Sequence, residues 1–375
     1  MLTEEYRVCQ RCVMDTTDSQ IIFDEKGNCN HCESFLHTIQ QHAYRPGISE
    51  KQWLKIVEQI KKRGKGKQYD CLVGVSGGVD SSYTAHLCKA YGLRPLLMHI
   101  DNGWDTEIAI KNITALVEKL GFDYVSYVID WKEFKEIQLA FLKSSIVDLE
   151  FPTDIAIAAA NYQIASKYKI PTILSGGNYS SEGILPLTWG YHVSYDMKLY
   201  KHIVKTYGNV QLKKVPTVGL LGSFYYKFIK GIKTFYPLNY IPFNKDEARD
   251  VLMENYGWRS YGGKHHESTI TAFWQSYVMP TKYKFDYRKA TYSSQICNQQ
   301  LTRDEALKML QDLPYNEEKI AAEKHYIAKK FGISLEEFEG YLNDKPKTYL
   351  DFPNNKKRNE WIFNCYKRLK NKKVS

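Results

Sequence analysis

The feature that most constrains this chain is an apolar run that leads through a glycine-rich loop directly into a helix. Residues 69–75 (YDCLVGV) predict a buried strand, residues 76–82 (SGGVDSS) a loop, and residues 79–91 a helix that stops at Gly92. Further strands are predicted at 95–100, 124–129 and 171–174, and further helices at 49–62, 106–120 and 155–168. Because strands and helices alternate with short connections, the sequence predicts an α/β fold built on a doubly wound parallel sheet.

The alternation stops after about residue 184. Residues 185–245 are rich in Tyr, Phe and Lys without clean periodicity, and the chain is predicted to be helical from a capping box at Thr302–Glu305 onward. The aromatic side chains of the middle segment either line a ligand surface or pack as an insertion. We therefore predict four regions: a four-cysteine module (1–45), the α/β core (46–184), an insertion and substrate- or phosphate-binding region (185–300), and a helical region with a basic tail (301–375).

Composition excludes several classes of protein. With 43% hydrophobic and 25% charged residues, the 375-residue chain is neither disordered nor collagen-like. It has no run of about 18 uncharged apolar residues and begins without an apolar signal region, so we expect no membrane span and a cytoplasmic location. The formal net charge is +10, and residues 356–375 supply much of it. That basic tail is either a solvated helix end or a grip for nucleic acid, a membrane surface or a phosphorylated ligand.

The loop after the first strand has the composition of a phosphate cradle. In an α/β sheet, ligands bind at the carboxyl ends of the strands, where a helix N-terminus offers free N–H groups to an anion. Neither the Walker pattern nor the dinucleotide glycine pattern occurs in the chain. A carboxylate in a phosphate site suggests a bound Mg²⁺, and Asp80 is the predicted ligand. The predicted ATP-binding residues of this loop are Ser76, Gly77, Gly78, Val79, Asp80, Ser81 and Ser82.

Four of the eight cysteines have the spacing of a metal site. Cys9 and Cys12 form one C-x-x-C pair, and Cys29 and Cys32 form a second, sixteen residues later, just after a predicted tight turn at Gly27. Two such pairs complete a tetrahedral structural Zn²⁺ site, whose four filled positions leave no place for a catalytic water. The alternatives are four free thiols or a redox pair. The remaining cysteines are predicted to be separate core or surface thiols.

The glycine-rich loop resembles the S-G-G-x-D-S signature of the PP-loop ATP pyrophosphatases. The resemblance implies an enzyme that cleaves ATP between its α- and β-phosphates and transfers AMP to an oxygen of the substrate. It also implies that Asp101, in the segment HIDNG (99–103), holds the nucleoside. The segment SGGNYSSE (175–182) looks like a loop of NAD synthetase, which implies that Gly176, Gly177 and Asn178 bind ATP and that Glu182 is a second Mg²⁺ ligand.

Over nearly its full length the chain resembles the N-acetyl sugar amidotransferases of the WbpG and pseudaminic-acid type. The resemblance rests on the segments CVMDTTD (12–18), SGGVDSS (76–82) and GWRSYGGKHHES (257–268). It implies conversion of a sugar's acetamido group to an acetamidino group with ATP and ammonia, in bacterial O-antigen biosynthesis. The implied substrate is a UDP-linked diacetamido uronic acid or, alternatively, a nonulosonic acid. Since no cysteine has the setting of a glutaminase nucleophile, ammonia is expected from a separate glutaminase with a cyclase-like partner.

Candidate catalytic residues follow two glycines in the third of those segments. Lys264 is predicted to bind phosphate, and His265 or Glu267 to accept a proton from ammonia, with Asp80 completing the catalytic set. The alternative is an ordinary polar surface turn. A second basic cluster contains Arg288 and Lys289, which either hold pyrophosphate or the substrate's nucleotide part, or lie on a solvated helix face.

Two other functions are compatible with these motifs. A tRNA-thiolating enzyme of the same superfamily would share the ATP loop and the cysteine pairs, but sulfur transfer needs a reactive cysteine pair or an iron–sulfur cluster near the loop. A binding protein without catalytic activity would use the cysteine module to hold a partner on an ATP-binding scaffold. Because the four remaining cysteines form no further pair in the sequence, a tRNA substrate is the less expected one.

Overall fold

A five-stranded parallel sheet forms the centre of the molecule. The computed structural model describes residues 5–39, 42–190, 195–260 and 267–371, with side chains described as far as residue 365. The strands are β1 (Cys71–Gly74), β2 (Pro95–Asp101), β3 (Tyr124–Val128), β4 (Thr172–Leu174) and β5 (Lys233–Phe235). They lie in the order β3-β2-β1-β4-β5, and every neighbouring pair is parallel. Strands β2 and β3 are therefore added on one side of β1, and β4 and β5 on the other side. This change of side creates a crevice at the carboxyl ends of β1 and β4.

Helices follow and cover the strands. Those in the first half of the chain are α1 (Asn30–Ser34), α2 (Ser49–Gly64), α3 (Val79–Ala90), α4 (Glu107–Leu120), α5 (Trp131–Ser144), α6 (Phe151–Lys167) and α7 (Tyr179–Glu182). They are followed by α8 (Met197–Tyr207), α9 (Leu220–Phe224), α10 (Lys245–Tyr256), α11 (Thr269–Phe273), α12 (Arg288–Cys297), α13 (Arg303–Met309), α14 (Glu317–Phe331), α15 (Leu335–Asn343) and α16 (Lys356–Asn371). π-Helical turns extend α1, α9 and α11 over Phe35–Ile39, Tyr225–Ile229 and Trp274–Tyr283.

The sheet is buried on both faces. Along β1, Cys71 and Val73 belong to a core shared with α3, α4 and α10, whereas Leu72 belongs to a core shared with α6. Alternate side chains of a strand point to opposite faces, so helices pack against both sides of the sheet. This arrangement confirms the predicted doubly wound α/β class.

The structure adds several elements to the sequence prediction, among them helix α5 and strand β5 in the sheet region and helices α7 to α12 between residues 179 and 297. Helix α5 was not predicted; it begins at the N-cap Asp130, whose carboxylate accepts a hydrogen bond from the Glu133 N–H. Strand β5 lies in the segment predicted as an insertion without regular structure. A three-residue strand is too short for a periodic signal, and it forms because β4 presents a free edge to it. The predicted helical C-terminal region and its capping box at Thr302–Glu305 are confirmed, while the domain boundaries themselves stay predictions.

The cysteine-containing segment folds back onto the C-terminal half of the chain. Arg303 donates from Nε to the carbonyl oxygens of Cys9 and Cys12 at 3.0 and 3.2 Å, and the Val13 N–H donates to Ser293 Oγ at 3.2 Å. Gly27 has φ +80°, the left-handed conformation of the predicted turn. Among the described residues, no helix is long and apolar enough to cross a membrane.

Candidate active site and metal centre

A cleft of about 540 Å³ opens at the carboxyl ends of β1 and β4. Its floor is made of the ends of these strands, and its walls come from the loop that begins at Ser76, the loop at 175–177, α6 and residues 267–287. This is the position where the chain changes from one side of β1 to the other, the usual ligand site of such folds. Of the predicted loop, Ser76, Gly78, Val79, Asp80 and Ser81 line the cleft.

The serine hydroxyls close the loop into a compact turn. Ser81 Oγ accepts a hydrogen bond from the Ser76 N–H at 3.1 Å, and Ser76 Oγ accepts one from the Gly78 N–H at 3.3 Å. Helix α3 begins immediately after Gly78, which serves as its N-cap without a side chain to satisfy the first N–H groups. Those N–H groups and the positive end of the helix dipole are available to an anion in the cleft. The buried Ser82 is not among the residues that line the cleft.

The carbonyl group of Gly77 is fixed by two residues from distant segments. Trp258 Nε1 donates to Gly77 O at 3.0 Å, and Asn112 Nδ2 donates to the same oxygen at 3.4 Å. Gly77 has φ +81°, and a Cβ at this position would lie 2.5 Å from the carbonyl oxygen of Ala109. The loop conformation therefore requires glycine here, and Trp258 links the loop to the third resemblance segment.

The loop after β4 packs directly onto the start of α3. A Cβ on Gly176 would lie 2.8 Å from the carbonyl carbon of Asp80 and the nitrogen of Ser81. Asn178 Nδ2 donates to Asp80 Oδ2 at 3.4 Å, and the Asn178 N–H donates to Glu182 Oε2 at 3.4 Å. Asn178 thus stands between the two carboxylates predicted to hold Mg²⁺. Its own amide oxygen caps α7 by accepting from the Ser181 N–H.

At the end of β2, the residues that line the cleft are His99 and Asp105, whereas the sequence analysis suggested Asp101. Asp101 is absent from the described cleft lining, and its Oδ1 accepts from the Gly103 N–H at 2.8 Å, so it stabilises the turn after β2. His99 and Asp105 line the cleft instead, and His99 Nε2 contacts Asp105 Oδ2 at 3.0 Å. Burial acts to lower the pKa of His99, but the hydrogen bond and the negative charge of Asp105 outweigh it and raise the pKa. Nucleoside binding by Asp101 stays a prediction without support from its position.

Another wall of the cleft carries Glu150, which the sequence analysis missed, and Glu267, which it named as a candidate proton acceptor. Glu150, just before α6, accepts a hydrogen bond at Oε2 from Thr271 Oγ1 at 3.0 Å. Burial raises the pKa of Glu150 to about 7, and the negative charges of Asp154 and Glu267 add to the rise. Glu267 lies in the same wall, and its carbonyl oxygen accepts from the Thr106 N–H at 2.9 Å. No local motif marks Glu150, because its hydrogen-bond partner Thr271 and its neighbour Glu267 come from a segment more than 110 residues away.

The same wall offers hydrogen-bonding groups that protein atoms leave unused. Thr153 is 5% exposed and lines the cleft, and its hydroxyl has no hydrogen-bond partner among the described residues. Glu150 Oε1 is likewise buried without such a partner. Buried polar atoms without partners are costly, so a ligand or ordered water that satisfies them is expected here. The wall can therefore receive a polar group with a hydrogen to donate.

The lining of the cleft is mostly acidic, so an anionic ligand such as a polyphosphate would need a bound cation beside it. Among the described lining residues, Lys245 at the start of α10 is the one lysine or arginine. Six acidic residues also line the cleft: Asp80, Asp105, Glu150, Asp154, Glu182 and Glu267. A polyphosphate placed among these groups would be repelled unless a divalent cation with oxygen ligands stood between them. The donor set at Asp80 and Glu182 therefore fits the predicted Mg²⁺. Lys245 was not identified from the sequence.

The remaining predicted site residues lie elsewhere. Arg288 pairs with Asp286 at 2.7 Å, and its Nη2 also donates to the carbonyl oxygen of Asp312 at 2.8 Å. Lys289 pairs with the fully buried Asp15. Neither side chain is part of the described cleft lining, so both have structural contacts, and their role toward pyrophosphate stays a prediction. Lys264 and His265 fall outside the described residues.

The four cysteines of the two C-x-x-C pairs converge on one point. All four Sγ atoms lie within 4.8 Å of one another and are buried; Cys12 Sγ and Cys29 Sγ are 3.5 Å apart, and Cys9 Sγ and Cys32 Sγ 3.8 Å. Four sulfurs at ~2.3 Å from a single tetrahedral ion stand about 3.8 Å apart. The spacing fits one metal ion, whereas an iron–sulfur cluster would hold the thiolates further apart. The N–H groups of Cys12 and Cys29 both donate to Cys9 Sγ, at 3.4 and 3.2 Å, which stabilises a thiolate there.

The contacts of the cysteine module connect it to the surroundings of the cleft. Helix α12, against which the cysteine module packs, accepts hydrogen bonds from two different segments through neighbouring serines. Ser293 Oγ accepts from the Val13 N–H, and Ser294 Oγ accepts from the Ile184 N–H at 2.9 Å. Ile184 follows closely on the segment that contains Glu182. The cysteine module therefore packs on the same helix that holds the segment after Glu182, which agrees with the predicted structural role of the four-cysteine site.

Two of the other cysteines lie in the same core, as the sequence analysis predicted for core thiols. Cys71 in β1 and Cys88 in α3 belong to one buried cluster, and the neighbouring Cys88 thiol together with burial raises the pKa of Cys71. Both residues are fully buried in the core between the sheet and α3. The described lining of the cleft contains no cysteine, so this pair has no access to the ATP loop.

Comparison with known proteins identifies the C-terminal part of the chain. Residues 267–370 match the family model described as the LPS biosynthesis protein WbpG-like, C-terminal domain. A glutamine-hydrolysing GMP synthase of Pyrobaculum aerophilum is 42% identical over 104 residues, which are 27% of this chain and 19% of that protein. The chain therefore spans about a fifth of the length of the curated relative it matches.

Solved structures were also compared with the whole chain. An NH3-dependent NAD synthetase from Campylobacter jejuni is 16% identical, with 79% of this chain and 98% of that chain covered and a TM-score of 0.32. The U34-tRNA thiolase NcsA from Methanococcus maripaludis with its [4Fe-4S] cluster is 15% identical, with 81% and 88% covered and a TM-score of 0.32. Glu267, Ser268, Thr271, Gln275 and Tyr287 all line the cleft, so the segment 267–370, which is similar to the WbpG-like C-terminal domain, contributes to the same cleft as the glycine-rich loop.

Proposed function

We propose that this protein is an ATP-dependent amidotransferase that converts an acetamido group of a nucleotide-linked sugar to an acetamidino group. The proposed substrate is a UDP-linked diacetamido uronic acid, and the proposed pathway is O-antigen or surface-polysaccharide biosynthesis. The observation that carries the proposal is the shared cleft: residues of the ATP-type loop Ser76–Ser82 and of the segment similar to the WbpG-like domain line it together. The match of that domain to a lipopolysaccharide biosynthesis family supports a sugar as the substrate.

The loop side of the cleft is suited to ATP. The N–H groups at the start of α3 and the Ser76 and Ser81 hydroxyls would bind phosphate oxygens, and Lys245 would add a positive charge. Asp80 and Glu182, joined through Asn178, would hold Mg²⁺, which neutralises phosphate charge and makes the α-phosphorus more electrophilic. The amide oxygen attacks that phosphorus, the bond to the β-phosphate oxygen breaks, and pyrophosphate leaves. The product of this step is an O-adenylated imidate.

The wall that carries Glu150 and Glu267 is suited to the ammonia step. Ammonia adds to the imidate carbon, the C–O bond breaks, and AMP leaves with the former amide oxygen. The attacking nitrogen must lose a proton, and a buried carboxylate whose pKa is raised to about 7 is a suitable acceptor at neutral pH. Glu150 therefore joins Glu267 as a candidate proton acceptor. The hydroxyl of Thr153, which lines the cleft and has no partner among the described residues, would hydrogen-bond to the amide or the incoming nitrogen.

An isotope experiment tests the function directly. The purified chain is incubated with ATP, Mg²⁺, ammonium chloride and a UDP-diacetamido uronic acid whose acetamido oxygen is ¹⁸O. Mass spectrometry is expected to show a sugar about one mass unit lighter than the unlabelled acetamido form and ¹⁸O in the phosphate of AMP. AMP without the label would mean that ATP is cleaved by water or by another acceptor, and the sugar assignment would then be wrong.

The source of ammonia and the competing functions are separated by further assays. With glutamine in place of ammonium, the chain alone is expected to be inactive, and activity is expected to return when glutaminase and cyclase-like subunits are added. AMP release that depends on tRNA instead of sugar would favour a tRNA-modifying enzyme. ATP binding without any AMP release, across a panel of UDP- and CMP-linked sugars, would favour a binding scaffold.

A further inference from the structure

A long segment of the chain is strongly asymmetric in charge. Residues 197–245 contain no aspartate or glutamate, although the chain has 42 acidic residues in 375, so about five would be expected in a segment of this length. The same segment contains nine lysines and no arginine; the lysines are Lys198, Lys201, Lys205, Lys213, Lys214, Lys227, Lys230, Lys233 and Lys245. Only Lys245 among them lines the cleft, so the proposed ATP site does not account for the rest.

The middle of this segment exposes large apolar side chains from regular structure. Helix α9 and its π-helical extension over Tyr225–Ile229 leave Leu221 77%, Ile229 75% and Phe228 51% exposed. The other side of the element is anchored, since Leu220 and Ile232 are buried and the Ile232 N–H donates to Tyr226 O at 3.0 Å. The exposed groups are therefore held outward by an ordered platform.

Lysines neighbour these apolar tips in the chain, and a second basic element, α16, lies next to Phe224 of the same helix. Lys227, Lys230 and Lys233 are exposed, with Lys227 Nζ 5.6 Å from the centre of the Phe228 ring. The ring of Phe224 contacts that of Phe363 in α16 at 6.5 Å. Residues 356–375, which include α16, have eight Lys or Arg and one Glu. We call residues 220–233 together with 356–365 the basic-apolar face.

We propose that the basic-apolar face binds the surface of an anionic lipid bilayer, with Leu221, Phe228 and Ile229 inserted at the level of the headgroups. Exposed aliphatic and aromatic tips ringed by lysine are the composition of interfacial membrane-binding elements, which lie on a bilayer without spanning it. Each lysine near the surface is attracted by the negative potential of anionic lipids. The inference does not depend on the proposed reaction.

The chemistry of the face favours lipid over nucleic acid. Single-stranded nucleic acids are bound by aromatic stacking together with Arg and Lys, and duplexes mainly through phosphate contacts and arginine forks. Residues 220–233 have no arginine, and Arg358 is the one arginine of the whole face. The two most exposed apolar residues of the face, Leu221 and Ile229, are aliphatic and do not stack on bases. Aliphatic tips gain most from an apolar environment, which a bilayer provides and a nucleic acid does not.

Vesicle co-sedimentation of the full chain tests the proposal. With vesicles of equal parts phosphatidylglycerol and phosphatidylethanolamine, we expect binding at least about tenfold stronger than with pure phosphatidylcholine, decreasing as salt is raised. The double variant Leu221→Ser/Ile229→Ser is expected to lose most of the binding, and so is Lys227→Gln/Lys230→Gln. The matched control is Leu313→Ser, since Leu313 is 56% exposed and lies outside the face.

A second measurement detects insertion itself. In Ile229→Trp, brominated phosphatidylglycerol vesicles are expected to quench the added tryptophan fluorescence, relative to the parent chain, whereas the same substitution at Leu313 should add no quenched signal. Equal binding to anionic and zwitterionic vesicles, or full binding by both double variants, would overturn the proposal. Binding of a tRNA probe that is lost in the same variants, with no vesicle binding, would assign the face to nucleic acid instead.

Discussion

The indole N–H of Trp258 donates to the carbonyl oxygen of Gly77 at 3.0 Å, across 181 residues of sequence. This bond occupies the Gly77 carbonyl oxygen, and Gly77 is not part of the described cleft lining, whereas Gly78 and Val79 at the start of α3 are. Asn112 supports the same oxygen at 3.4 Å and also binds the backbone of Arg259. The loop that would bind ATP is therefore held in shape by the segment 257–260.

Replacing Trp258 by Phe keeps an aromatic ring in the core and removes the donor. We expect the KM for ATP to rise about 2- to 10-fold, the effect of one lost hydrogen bond, with little change in Tm. Steady-state assays of AMP release and thermal melting measure the two quantities. Trp361→Phe is the control, because Trp361 is 67% exposed and far from the loop in sequence. An unchanged KM would mean that Asn112 alone fixes the loop.

Replacing Gly176 by Ala would separate the loop after β4 from α3. The new Cβ would lie 2.8 Å from backbone atoms of Asp80 and Ser81, which cannot rotate away. We expect ATP affinity, measured by calorimetry, to fall by about tenfold or more. Gly340→Ala in α15 is the matched control, since nothing would lie within 4 Å of the added Cβ and alanine is the better helix former. Equal affinity in both variants would contradict a tight contact between the two loops.

Glu150 should make both stability and rate depend on pH. Its pKa is about 7 in the folded chain, above the ordinary 4.5, so the folded state holds the proton more tightly than the unfolded state. The free energy of unfolding should therefore decrease by about 3 kcal/mol as pH rises from about 4.5 to 7. The rate of the ammonia step should rise as the pH passes the folded-state pKa of about 7, because Glu150 must be ionised to accept a proton.

The variant Glu150→Gln is expected to remove both effects. Urea denaturation at several pH values measures the first, and the pH profile of kcat the second. Glu118→Gln is the control, because Glu118 is exposed on α4. A kcat profile that keeps its rise near pH 7 in Glu150→Gln would assign the proton acceptor to another group, Glu267 being the next candidate.

Lys245 should act on ATP through its charge. Because it is the one lysine or arginine among the described lining residues, Lys245→Gln is expected to raise the KM for ATP about tenfold and to increase the Mg²⁺ needed for half-maximal rate. Lys55→Gln on the exposed side of α2 is the control. A change in the KM for the sugar alone would place Lys245 on the substrate's nucleotide instead.

Removal of the metal should loosen the cleft as well as the cysteine module. Elemental analysis is expected to find one zinc per chain, and Cys12→Ser to lower Tm by about 5 °C or more, because α12 would lose the module that packs against it. Cys365→Ser should keep both the metal and the Tm. Recovery of several irons per chain would contradict a single-ion site.

Short-range patterns were sufficient for the framework of the fold. The alternation of apolar runs with amphipathic helices predicted β1 to β4, α2, α3, α4 and α6, since both periodicities are properties of consecutive residues. Helix α5 was missed although it is amphipathic, because its first turn is mixed and charged. Strand β5 was missed because three residues show no period, and the free edge of β4 decides its place.

Site residues divide in the same way. The cysteine pairs and the loop Ser76–Ser82 are local motifs, and the structure brings the four sulfurs together and places the loop at the change of side in the sheet. Asp101 illustrates the limit of local patterns, because its carboxylate accepts from the Gly103 N–H two residues on and is not part of the described lining. Lys289 illustrates a second limit: its ion pair with Asp15, 274 residues away in the chain, cannot be predicted from the helix in which Lys289 lies.

The sequence by itself determined the α/β class, the phosphate-type loop and the four-cysteine site, because each depends on residue types at fixed short spacings. Only the tertiary structure decided that Glu150 and Thr271 meet in one wall, that Trp258 holds Gly77, and that residues 267–287 line the same cleft as the loop. These contacts join residues more than 100 positions apart. They are set by the order of strands in the sheet and by the packing of helices on it, which no local spacing specifies.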